Sequence, residues 1–102
     1  MIPALPILLE RGFRFRSFEA YPRCVGVQRD NFVALVETTP QGGLRLFGTS
    51  GYLIGERIAM LVERGGQSVF ESKGERIPAS PEMLEAFQRF QRDLRATLET
   101  QL

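Results

Sequence analysis

The alternating run Phe13-Arg14-Phe15-Arg16 sets two guanidinium groups two residues apart, the clearest chemical feature of the chain. In an extended strand, side chains two apart share a face, so Arg14 and Arg16 stand together while Phe13 and Phe15 turn the other way. A planar guanidinium can hold a carboxylate or phosphate through two parallel hydrogen bonds. If the next apolar run returns as a hairpin, Arg23 or Arg29 joins them, with Tyr21 close by. These four arginines are the candidates for an anion site, suited to phosphate, a lipid headgroup or nucleic acid. The plainer account is a solvated edge strand whose charges prevent pairing with other chains.

The remaining signals point away from catalysis. The sequence holds no histidine and one cysteine, Cys24. That removes Ser-His and Cys-His nucleophiles, the usual zinc ligand sets and any intrachain disulfide. Next to Val25-Gly26-Val27, Cys24 reads as a small buried side chain. The carboxylates are dispersed at strand ends and along one helix face, and no pair stands out for acid–base work. Gly48-Thr49-Ser50-Gly51 resembles a nucleophile elbow or a phosphate loop only in outline. Tyr52 stands where the elbow needs a second glycine, and no Gly-Lys-Ser/Thr followed by a helix closes a phosphate loop. It reads as a hairpin turn. The expectation is a non-enzymatic chain with no cofactor and no metal.

The elements that must position these residues are mostly short strands. Strand patterns cover Phe13–Arg16, Cys24–Arg29, Phe32–Thr38, Leu44–Phe47, Tyr52–Ile54, Arg57–Arg64, Gln67–Ser72 and Glu75–Pro78. Two-residue turns are expected at Asp30-Asn31, Gly55-Glu56, Gly65-Gly66 and Lys73-Gly74. Residues 1–11 form an apolar arm, extended or with one helical turn from Pro6 to Glu10 ended by Gly12. Its two prolines and the lack of a basic start argue against a signal peptide, and it is too short to span a bilayer.

Residues 80–101 read as the one long helix, with Ser80 as N-cap and Pro81 at the first helical position. Leu84, Phe87, Phe90, Leu94 and Leu98, with Met83 beside them, make its apolar stripe; Glu85–Arg89 and Arg89–Asp93 are spaced as ion pairs. The fold class that follows is α+β: one domain, residues 1–102, with an antiparallel meander of about seven strands over 12–78 and the helix packed upon it. In its order of elements, strands closed by one amphipathic helix, the chain resembles pleckstrin-homology-like barrels. That resemblance implies a barrel closed by the helix and an anion-binding adaptor or sensor as the alternative.

Two strands are apolar on both faces. Phe32, Ala34 and Val36 oppose Val33 and Leu35, while Ile58, Met60 and Val62 oppose Ala59 and Leu61. An antiparallel sheet with one wet face should alternate instead, and a single helix covers only one face. Barrel closure, the N-terminal arm or a second copy must cover the other. The leading expectation is therefore an interaction module that forms a homodimer or binds another protein, with Phe32, Ala34, Val36, Ala59 and Leu61 as self-association candidates. The net charge of +1 argues against nucleic acid as partner. With no signal or span, the expected location is the cytoplasm.

Overall fold

Turn chemistry decides most of the topology. A computed structural model of the protein describes residues 4–99. Within them the four expected two-residue turns each join neighbouring strands, so the sheet is a simple meander. Both residues of Gly65-Gly66 and of Lys73-Gly74 have positive φ, the backbone that matches strand twist in a two-residue hairpin. The strands are β1 (Arg14–Arg16), β2 (Val25–Arg29), β3 (Phe32–Thr38), β4 (Leu44–Ile54), β5 (Arg57–Arg64), β6 (Gln67–Ser72) and β7 (Glu75–Pro78). They lie in sequence order in one antiparallel sheet, curled into a half-barrel. Helix α1 (Ala4–Glu10) precedes them and α2 (Pro81–Glu99) follows.

One expected turn is not a turn. Gly48-Thr49-Ser50-Gly51 runs inside β4, because the stretches on either side both pair with β3: Phe47 opposite Leu35, and Gly51 opposite Val33. Four residues on β4 therefore match two on β3, and the chain bulges instead of reversing. Gly51 lies against β5; a Cβ there would lie 2.4 Å from the Ala59 carbonyl oxygen. A side chain at this point would push the two backbones apart.

α2 begins as its sequence requires. The Met83 amide donates to Ser80 Oγ at 3.1 Å. Its stripe lies on the inner face of the sheet, where Phe87, Phe90, Leu94 and Leu98 are buried with Phe13, Val27, Phe32, Ala34, Val36, Ala59 and Phe70. Each of those four helix side chains is worth about 1.5–3 kcal/mol of transfer from water. Helix α1 is longer than the single turn expected and ends in a Schellman pair, Gly12 N–H to the Leu9 carbonyl and Phe13 N–H to the Leu8 carbonyl. Its Leu8 joins the inner core, so the arm packs beside α2. The expected arm residues 1–3 and helix residues 100 and 101 lie outside the described residues.

Part of the outer face is covered by a segment that was not among the three expected covers. The segment between β1 and β2 folds over it and plants Phe18 on Val33 and Leu35, with Cys24, Leu53 and Ile58 around them. Gly26 makes this possible, since a Cβ there would stand 2.4 Å from the Phe18 ring. Phe18→Ala should destabilise the fold by about 3–5 kcal/mol. Gly26→Ala should cost about 1–3 kcal/mol by lifting that ring. Because both changes strike one contact, the double variant should be at least about 1 kcal/mol more stable than the sum of the two in urea unfolding. Strict additivity would mean that the ring does not rest on Gly26.

Candidate functional site

The two flanks of α2 are treated differently by the rest of the chain. On one flank Asp93 accepts from Arg29 Nη2 of β2 at 2.8 Å, and the Arg29 guanidinium lies 4.7 Å from the centre of the Phe13 ring. One turn on, Arg11 Nη1 donates to Thr97 Oγ1 at 2.8 Å, and that hydroxyl donates to the Asp93 carbonyl at 2.8 Å. Charge-assisted bonds and a cation on an aromatic face tie this flank to β2 and to the end of α1. The expected Arg89–Asp93 pair is thus replaced by Arg29–Asp93, while Glu85–Arg89 forms as expected at 3.3 Å.

The other flank faces a gap. Among the described residues β4 and β5 pair close to their turn, from Tyr52–Ala59 to Ile54–Arg57. Beyond it, among the same residues, Arg45–Phe47 pairs with β3 and Leu61–Arg64 with β6. Leu84, Gln88, Gln91 and Arg95, spaced along one side of α2, overlook the opening. Between them and the strands lies a hollow of about 390 Å³ at Ser50, Met60, Leu61 and Phe87. Gln91 and Ser50 carry it into a smaller one of about 110 Å³ at Leu46, Gly48 and Arg95. Gln88, Gln91 and Arg95 also border a third, of about 360 Å³, with Arg92 and Glu99. The first two share Ser50 and Gln91 and run between α2 and the strands; the third, lined by α2 residues alone, adjoins them on the helix surface, so the groove is apolar at its Leu61–Leu84 end and opens at Arg95 onto a basic helix surface that includes Arg92.

The anion candidates do not converge. Arg14 and Arg16 share the outer face of β1, but Arg14 stands opposite Gln28, so Arg29 points to the inner face, where Asp93 holds it. Arg16 is paired with Glu56 at 3.0 Å and lies over the Phe18 ring. Its Nε is the one buried side-chain nitrogen or oxygen without a hydrogen-bond partner among the described residues. Arg23 is exposed in the segment between β1 and β2. Four of the five self-association candidates, Phe32, Ala34, Val36 and Ala59, lie beneath α2 at 6% exposure or less. Only Leu61, 38% exposed, reaches the surface, and it does so at the groove.

A larger cleft, about 690 Å³, opens between the β1–β2 segment and the β4–β5 and β6–β7 turns. Glu19 and Glu56 in its wall are matched by Arg57 and Lys73, so it favours neither sign of ligand. Among the described residues no three His, Cys, Asp or Glu side chains stand where they could hold a metal ion together. No helix there is long and apolar enough to cross a membrane.

The groove was hidden from sequence reading because it arises from strand parting, which no residue pattern announces. The glycines at 48 and 51 were its only local trace. Comparison of the chain with protein-family models, curated proteins and solved structures finds no match in any of the three.

One cluster of charges, on β5, β6 and β7, perturbs its own carboxylate. Hydrogen bonds from Arg64 hold the Glu71 carboxyl below its ordinary 4.5, and Arg76 adds to this. Stability from a lowered carboxyl is present above its unfolded value and is lost as pH falls through the folded one. Unfolding at pH 7 and pH 3 should therefore show a smaller acid loss in Glu71→Gln than in the parent chain. The pairs are exposed, so the difference should be small. An unchanged acid limb would remove Glu71 from the account.

Proposed function

We propose that this chain is a non-catalytic binding module that takes a polypeptide partner along the open flank of α2. The observation that carries the reading is the asymmetry of that helix. One side is fixed by Arg29–Asp93 and Arg11–Thr97, while the other borders two parted strand edges and a partly apolar groove. Parted edges carry backbone groups suited to an added strand, and such edges are used for peptide recognition. The absence of histidine and the scattered carboxylates support the non-catalytic half of the reading. A single half-buried thiol, Cys24, suits a reducing compartment, and the cytoplasm remains the expected location.

Of the apolar sheet residues that point to self-association, Phe32, Ala34, Val36 and Ala59 pack beneath α2 within the chain. A second reading keeps self-association but moves it to the edge of β5, favoured by the exposed Leu61 beside Leu61–Arg64, which among the described residues pairs with β6. Anion binding by Arg14, Arg16, Arg23 and Arg29 has less support, since two of the four are engaged by Glu56 and Asp93.

A photo-crosslinking residue placed at Gln91, on the groove, is expected to join one defined protein in cells that express the chain. The same residue at Arg89, beside Glu85 on the solvent side, should not. Equal labelling from both positions would overturn the reading. Adducts made only of this chain, with a doubled mass by light scattering, would select the self-association form.

A further inference from the structure

Resting on the binding reading above, we infer that the occupant of the α2 groove is an extended, acidic segment of a partner protein. It carries one apolar side chain and, about four residues away, one or more carboxylates. The argument begins from the charge balance of the arginines. Seven of them, Arg16, Arg29, Arg45, Arg57, Arg64, Arg76 and Arg89, are in ion pairs within the chain. Arg11 is held by Thr97, and Arg14 by the Phe13 carbonyl. Of those that pair with nothing among the described residues, Arg92 and Arg95 stand together at one end of the groove, both exposed. Glu99 is the single acid on its wall. Two guanidinium groups beside one carboxylate leave a positive charge that carboxylates supplied from outside would match.

The other end has the opposite character. Leu61 is 38% exposed there and lines the hollow with half-buried Leu84 and buried Phe87. It can receive one apolar side chain. Between the ends, the amides of Gln88 and Gln91 hydrogen-bond to nothing among the described residues. Each amide both donates and accepts, as does each residue of an extended backbone lying beside the β5 edge. From Leu84 and Phe87 to Arg92 and Arg95 is eight residues of helix, about 12 Å. An extended chain covers that distance in about four residues.

A second copy fits less well. A two-fold contact sets the same patch against itself, so it offers Arg92 and Arg95 little besides Glu99. Nucleic acid finds no phosphate track in two arginines next to an apolar hollow.

The test is selection of a random phage-displayed library of about twelve residues against the immobilised full-length chain, which leaves room on both sides of a four-residue spacing. Enriched peptides are then synthesised and their affinity measured by fluorescence anisotropy. The expected consensus is an apolar residue with Asp or Glu about four positions away. Arg92→Glu with Arg95→Glu should weaken the selected peptide roughly tenfold or more, and Arg92→Ala with Arg95→Ala should weaken it less. Neither pair should alter the melting temperature, since both side chains are exposed. Leu61→Asp should weaken the same peptide from the other end.

No enrichment, a consensus without acids, or affinity indifferent to the charge reversal would overturn the inference. So would a dimer that the charge reversal dissociates, which would give the groove to a second copy. Crosslinking from Gln91 together with an acid-free consensus would leave the binding reading standing and remove only this one.

Discussion

The ring of Phe32 is the contact on which the rest of the molecule depends. It lies against Phe87 at 5.4 Å and Phe90 at 6.0 Å from α2, Tyr52 of β4 at 5.6 Å, and Phe70 of β6 at 6.3 Å. Tyr52 and Phe70 also stack on each other, and Phe70 meets Phe87 edge-on. Residues from the middle and the far side of the meander thus reach one point, which they can do only if the sheet curls. Each such ring pair adds about 0.5–1.5 kcal/mol to the burial itself. The curl has a geometric consequence at β4 and β5. Tyr52 and Ala59 stay together at the aromatic cluster, and the outer parts of the two strands diverge.

That divergence explains why α2 is anchored on one side only. Towards β2 the sheet is continuous and supplies Arg29, and the Schellman end of α1 brings Arg11 to the same flank. Towards β5 the sheet is not continuous, and Gln88, Gln91, Arg92 and Arg95 have no side-chain partner among the described residues. A single packing constraint therefore produces the core, the tether and the open groove.

Much of this was legible from the residues. Asp30-Asn31, Gly65-Gly66 and Lys73-Gly74 announce tight turns because turn geometry selects those residue types, and Ser80-Pro81 announces the start of α2 for the same reason. What was not legible depends on partners far away in sequence. Gly48-Thr49-Ser50-Gly51 has the composition of a turn and of a bulge alike; only the pairing of both its flanks with β3 decides between them. The apolar outer residues Val33 and Leu35 correctly demanded a cover. Its source, a lone phenylalanine in Ser17-Phe18-Glu19, has no periodicity to mark it. Asp93 could satisfy Arg89 by spacing, but a guanidinium already fixed over Phe13 outcompetes a solvated one on the same helix.

The position of α2 after all seven strands has a consequence for the order of assembly. Every strand pairs with its neighbour in sequence, so hairpins can form as soon as they leave the ribosome. The inner face of that sheet, with Phe32, Val36 and Phe70, has no cover until Phe87, Phe90, Leu94 and Leu98 have emerged. Before residues 80–99 join it, that face has only Leu8 of α1 beside its rings, so the sheet and α2 complete one core together.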